Sequence, residues 1–385
     1  MHLFSMNGLS LFANIGVAEA YLEEENIKIK IANELLPERA RFYQDVYKNT
    51  NMICGDITNE EVYKDIIAES KKQKINFVLA TPPCQGMSTA GKQGNDERNY
   101  LIKYALDAIL DLNPKYALIE NVPQILKTKI SVDGQSMLIS DYIKKRISGN
   151  YRINYKVVSS LDYGVPQMRN RCIFLLSRKD MDYVWNFPEE KCKHVTLSEA
   201  IGNLPSLDPR IQGMSHEQLL KIFPDYDKKR AEGLKISKWH FPPTHKFRHV
   251  EVMMHTPEGC SALQNEVYYP KNPNGSKVRG FPNTYKRQSW DKPAYTITTY
   301  NGAVCSQDNV HPGRKYVVNG EILYSDPRVF SIYELLILMS LPTNWNIPEW
   351  AKESLIRHTI GEGIPPLVIK KIAHQLKEAS YDKKD

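Results

Sequence analysis

Phe77-Val78-Leu79-Ala80-Thr81-Pro82-Pro83-Cys84-Gln85-Gly86 sets four consecutive apolar residues against a turn of two prolines, a thiol and a glycine. A short apolar run bounded by turn formers reads as a strand buried on both faces, and such a strand needs helices above and below it. The flanking sequence supplies them. Runs at 9–13 and 27–32 precede it, and runs at 116–119, 155–159 and 172–176 follow it. Residues 37–47, 59–71, 100–111 and 136–147 carry apolar residues at helical spacing. Strands alternating with helices predict an α/β fold built on a doubly wound, mostly parallel sheet.

Near Asp182 the alternation stops. Pro242, Pro243, Pro257, Pro270, Pro273, Gly275, Gly280, Pro282 and Pro293 break the following chain into short pieces, so loops with short strands are expected there. Helical spacing returns at 331–340 and at 367–379, after Pro365 and Pro366, which predicts that the C-terminal segment packs back on the sheet. The expected organisation is one domain made of residues 1–188 and 329–385 and a smaller, loop- and strand-rich domain over 189–328. No internal repeat or low-complexity tract interrupts it.

The 385 residues are 42% hydrophobic and 25% charged, which excludes wholesale disorder and collagen-like or coiled-coil architecture. No apolar run approaches the about 18 residues that span a bilayer, and no basic N-terminal segment precedes an apolar stretch. A cytoplasmic protein without membrane contact is expected. Six scattered cysteines with no CxxC pair fit a reducing compartment, and Cys192 with His194 is too isolated for a zinc site, so no metal is expected. Charge is uneven. Of a net +7, the stretch from Lys228 to Arg287 carries twelve basic and four acidic residues, a net +8. Trp239, Phe241, Phe247, Tyr268, Tyr269, Phe281 and Tyr285 interleave with that charge, which suits a polyanion such as nucleic acid and equally a solvated surface.

Ligands of an open parallel sheet bind beyond the carboxyl ends of its strands. Four places there carry reactive or ligand-binding residues. Cys84 follows the first quoted strand, as a rim thiol or an inert buried cysteine. Glu120-Asn121-Val122-Pro123 follows the run at 116–119. Gln167, Arg169 and Arg171 share one face if their segment is extended, gathering two guanidinium forks toward one ligand or carboxylate, or toward surface acids. Leu11-Phe12-Ala13-Asn14-Ile15-Gly16 makes a strand-to-helix turn, with Glu34 beyond the next strand placed to hold ribose hydroxyls. One glycine falls short of a pyrophosphate-binding GxGxxG turn, whereas a nucleoside without phosphates needs less glycine.

Pro82-Pro83-Cys84-Gln85-Gly86, Glu120-Asn121-Val122 and Gln167-x-Arg169-x-Arg171, in this order and at these separations, resemble the cytosine-5 DNA methyltransferases of the bacterial restriction-modification type. Pro293-Ala294-x-Thr296-Ile297-Thr298, the segment 328–334 and the segment 360–366 are similar to the family's late motifs. The resemblance covers nearly the whole chain and leaves 189–328 as the target-recognition domain. It implies a Rossmann-like fold, S-adenosylmethionine as cofactor and double-stranded DNA as substrate. Cys84 would add to carbon 6 of a flipped cytosine, Glu120 would act at ring nitrogen 3, and Arg169 and Arg171 would hold the base oxygen. Cofactor contacts would fall to Phe12, Ala13, Asn14, Ile15, Gly16, Glu34, Asp56, Ile57, Pro83, Leu101 and Glu362. DNA contacts would fall to Gln85, Ser88, Lys92 and Gln93, with Lys228, Lys229 and Lys246 on phosphates and Arg279 and Arg287 reading bases.

The sequence departs from the family at two places. Ser10, Asn14 and Val17 stand where the first motif usually has an acid and two glycines, and Glu362 stands where an asparagine is usual. Two other readings accompany this one. A tRNA cytosine-5 methyltransferase of the same fold would typically carry Cys-Phe-Thr in its recognition region, which this sequence lacks. A catalytically inactive DNA-binding relative would not need Cys84, Glu120 and Arg171 together. A monomer is expected, and pairing with a restriction endonuclease stays open.

Overall fold

The computed structural model describes residues 5–83, 97–132, 134–189, 191–272 and 274–381. Its centre is a seven-stranded sheet. Strands β1 (Met6–Leu11), β2 (Ile27–Glu34), β3 (Asn51–Cys54), β4 (Phe77–Ala80) and β5 (Tyr116–Asn121) run parallel in the order β3-β2-β1-β4-β5. Asn170–Arg178 then adds antiparallel to β5, and Tyr151–Ser159 closes the edge antiparallel to it. The expected doubly wound, mostly parallel α/β sheet is therefore present. Strand β3 has no counterpart in the sequence reading: four residues at a sheet edge, none of them buried, leave too short a pattern to detect.

The pleat sorts the apolar residues of β4 to two cores. Val78 and Ala80 face α2 (Glu60–Lys72), α3 (Leu101–Leu112) and α4 (Ile139–Ile147), while Phe77 and Leu79 face the other way. There the C-terminal helix Pro366–Tyr381 lays Val368, Ile369, Ile372 and Leu376 over Leu118, Ile173 and Leu175, and Trp185 Nε1 donates to Ile372 O at 2.9 Å. The C-terminus packs back on the sheet as its spacing predicted. Helix α1 (Pro37–Val46) starts with proline at its first position, where a missing N–H costs nothing. Asn59 caps α2 by accepting from Glu61 N and Val62 N.

Two further cores lie beyond the sheet. One joins Ile15, Val17 and Phe42 to Ala294, Ile297, Phe330, Leu335, Trp345 and Ile360, so the first turn of the chain packs against its late segments. The other gathers Ile211, Leu219, Phe223, Val250, Met253, Val310 and Val329. Short helices at His216–Ile222, Tyr226–Ile236 and Phe247–Met254 interrupt the loops there, the first behind a Ser215–Gln218 capping box. The helix Glu353–Glu362 was also not visible in the sequence pattern.

Buried ions hold the late segments in place. Arg328, fully buried, reaches Asp326 at 2.8 Å and both oxygens of Glu334 at 2.7 and 2.9 Å, and its Nε donates to Leu207 O. Although burial opposes their charge, the guanidinium and His311 hold both carboxyls below their usual range, Glu334 at about 2.

Candidate active site

The strand order reverses between β1 and β4, and the carboxyl ends of β1, β2, β4 and β5 converge beside that reversal. At β1 the strand stops at Leu11 because Phe12 (φ 58), Asn14 (φ 51) and Gly16 (φ 83) all adopt left-handed backbone. Two non-glycine residues within three in that region store strain, most of all the bulky Phe12. The strand therefore ends two residues before the sequence reading placed it. Gly16 admits no side chain, since a Cβ there would lie 2.1 Å from Tyr47 Cε2. Ala13 N donates to Asn33 O, tying the turn to β2, while Ile15 is buried beneath it.

Asn14 is the hub of the turn. Its backbone N–H donates to Glu34 Oε2 at 2.9 Å, and its Nδ2 lies 3.3 Å from both Thr359 O and Glu362 Oε2. An amide therefore sits beside Glu362, contributed by position 14. Glu362 also accepts from Arg39 at 2.7 Å and meets His358 Nε2 at 3.1 Å. Arg39 was not foreseen; an arginine in the first turn of an ordinary helix gives no sequence signal. A second buried polar contact lies beneath the turn. Ser10 Oγ donates to the buried carboxyl of Glu19.

Burial pushes the Glu19 carboxyl up to about 7. A carboxyl raised from 4.5 in the folded state contributes stability that is complete at low pH and lost as pH rises toward 7, about 3 kcal/mol in all. Urea unfolding at pH 5 and pH 8 should show that fall in the native protein, and Glu19→Gln should flatten it. Equal pH dependence in both would place the titration elsewhere.

The residues fit a nucleoside with an amino-acid tail. Glu34 accepts from Asn14 N and Leu36 N, one bond per oxygen, which leaves lone pairs for hydroxyl groups. Asp56 is exposed, with Oδ1 accepting from Thr58 N and Oδ2 open to an amine. Among the described residues Asn14 Oδ1 is buried without a partner, an acceptor that an ammonium group would satisfy. Ile57 and Leu101 belong to the apolar core beneath, with Leu101 partly open. Pro83 is half-buried at the end of β4.

At the end of β5, Glu120 is buried and Arg171 Nε pairs with its Oε1 at 2.7 Å. Burial raises the carboxyl despite the opposing charges of Arg171 and Arg169. Asn121 Nδ2 donates to Pro82 O at 3.1 Å, so the Glu-Asn pair holds the backbone that leads to Cys84. Thr81 Oγ1 in turn donates to Phe12 O at 3.0 Å, joining this corner to the first turn. Cys84, Gln85, Ser88, Lys92 and Gln93 lie outside the described residues.

The shared face of Gln167, Arg169 and Arg171 divides its labour. Arg171 pairs with Glu120 directly. Arg169 donates to Ile297 O at 2.8 Å, Gly361 O at 2.7 Å and Glu362 O at 3.1 Å, and Gln167 bonds Ile297 N and Leu338 O. The expectation that Arg169 holds a base oxygen is corrected. It is a positioning residue, because its fork is committed to backbone carbonyls of the late segments.

Comparison with known proteins gives the same outline. Residues 6–378 match the family model of the C-5 cytosine-specific DNA methylases. The chain belongs to that family. The methylase is 41% identical over 375 residues to the Type II methyltransferase M1.HgaI of Avibacterium volantium, covering 96% of this chain and 97% of that one. It is 23% identical over 385 residues to M1.HphI of Haemophilus parahaemolyticus, covering 97% and 87%. Among solved structures, a prophage-encoded E. coli protein described as a DNA modification methyltransferase superposes with a TM-score of 0.66 at 20% identity, over 98% of this chain and 100% of that one. Spodoptera frugiperda DNMT2 does so at 0.59 and 16%, over 96% and 99%, a likeness of fold. The methylase is a DNA (cytosine-5)-methyltransferase. Among the described residues, no helix is long and apolar enough to cross a membrane, and no group of three metal-ligating side chains occurs.

Of the basic residues expected on DNA, Lys228, Lys246 and Arg279 are exposed. Lys229 is instead paired with the buried Asp208 at 2.9 Å, which removes it as a free phosphate contact. Arg287 is corrected outright. It is fully buried, with Nε donating to Thr256 O at 2.8 Å and its two terminal nitrogens to His311 O and Met253 O at 2.5 Å each. A guanidinium that satisfies three carbonyls inside a core is not available to a base edge.

Proposed function

We propose that the methylase transfers the methyl group of S-adenosylmethionine to carbon 5 of a cytosine flipped out of duplex DNA, with Cys84 as nucleophile. The observation that carries this reading is the buried Glu120–Arg171 pair at the end of β5, joined through Asn121 to the Pro82 carbonyl two residues before the thiol. Carbon 5 of cytosine is a poor nucleophile. Addition of the Cys84 thiolate to carbon 6 moves the ring electrons onto carbon 5, and Glu120 stabilises that charge by a proton or hydrogen bond at ring nitrogen 3. Arg171 orients Glu120 and faces the base oxygen. Loss of the carbon 5 proton and expulsion of the thiolate then restore the ring. The cofactor, when bound, supplies an electrophilic methyl group on its sulfonium; Glu34 would hold its ribose, Asp56 its adenine amine, and Asn14 with Glu362 its amino-acid end.

Residues 189–328 are proposed as the recognition domain, with Lys228, Lys246 and Arg279 on DNA. The names of the Type II relatives support a role in protecting DNA from a restriction endonuclease. Labelled-methyl transfer to duplex DNA, followed by bisulfite sequencing of a host genome expressing the protein, tests the reading. Transfer confined to RNA, or absent, overturns it. Glu34→Ala should weaken S-adenosylmethionine binding several-fold or more by calorimetry, and unchanged affinity would remove Glu34 from the site.

A further inference from the structure

Within the stretch proposed as the recognition domain, a cavity of about 230 Å³ opens between the strand Arg210–Ile211 and the helix Tyr226–Ile236. Arg210 and Arg230 stand at it, both exposed, and among the described residues neither side chain makes a hydrogen bond or an ion pair. Both arginines line this one cavity together with the Tyr226 ring. The carboxylate there, Asp227, is already engaged by His216 Nε2 at 2.9 Å. Leu219 and the buried Tyr226 ring supply an apolar floor, against which the His216 ring packs edge-on.

Two unpaired guanidinium forks over a half-apolar floor match a phosphate oxygen pair with a sugar behind it. The strand carrying Arg210 pairs with Thr244–His245, and the exposed Lys246 follows directly, so the cavity adjoins the basic stretch. We propose that Arg210 and Arg230 grip a phosphodiester of the duplex outside the bases that are read. This rests on duplex DNA being the substrate, and it assigns these residues to affinity, not to sequence choice.

The test is an Arg210→Gln, Arg230→Gln double variant of the full chain. Because each neutralised phosphate contributes about 0.9 to the slope of log K against log salt, the slope on a long duplex should fall by roughly one. The methylation profile over a randomised site library and the single-turnover rate at saturating DNA should stay as in the native protein. An unchanged slope overturns the proposal, as does an altered profile, which would make the pair a base reader. Calorimetry with inorganic phosphate separates the sources. Phosphate binding lost in the variant with the DNA slope intact would mean a free-anion site and would also overturn it. A native protein that transfers no methyl group while the slope still shifts would instead unseat the catalytic reading and leave this site standing.

Discussion

Cys84→Ala is expected to abolish methyl transfer and, with it, the covalent complex formed on duplex DNA carrying 5-fluorocytosine at the target. Fluorine cannot leave carbon 5 as a proton does, so the native enzyme should stall with its thiol bound to carbon 6. Free cysteine is only a few per cent thiolate at neutral pH, so the nucleophile is expected to need a neighbouring cation to favour the anion. Denaturing electrophoresis reads the adduct directly. A band that persists in the variant would assign the nucleophile to another residue.

The second large effect concerns Glu120. Glu120→Gln keeps the shape and removes the exchangeable acid, so turnover should fall by on the order of 10² to 10⁴ while duplex binding is retained. Because burial raises this carboxyl above 4.5, the native enzyme keeps a protonated fraction at a higher pH than a free glutamate would. Turnover should therefore decline as pH rises through the raised value, and the residual activity of the variant should lack that limb. Turnover equal to that of the native enzyme would end the assignment.

Much of this molecule was legible before its structure. Runs such as 77–80 and 116–119 are apolar on both faces because both faces are covered, and that pattern survives reading one residue at a time. Strand-end residues such as Glu120 and Glu34 stood out because a charge leaving a buried strand needs a reason. What escaped was relational. Ser10 and Asn14 looked like losses, yet Ser10 holds the buried Glu19 carboxyl and Asn14 lies against Glu362, contacts that only proximity reveals. Arg169 and Arg287 were assigned by residue type, and type cannot distinguish a guanidinium aimed at a ligand from one that satisfies backbone carbonyls within the fold. Charge counting also took Lys229 as free, although buried Asp208 holds it.

The C-terminal helix over the second face of the sheet sets a schedule for biosynthesis. Phe77, Leu79, Leu118, Ile173 and Leu175 are complete once the ribosome has passed Arg178, but the helix that covers them begins at Pro366. Those roughly 190 residues take about 10 to 40 s to synthesise at ordinary elongation rates. Throughout that interval the nascent chain carries this apolar sheet face without its covering helix, the kind of surface that chaperones bind and that pairs with copies of itself. Slower translation between these two points is therefore expected to lower the yield of folded protein in a heterologous host.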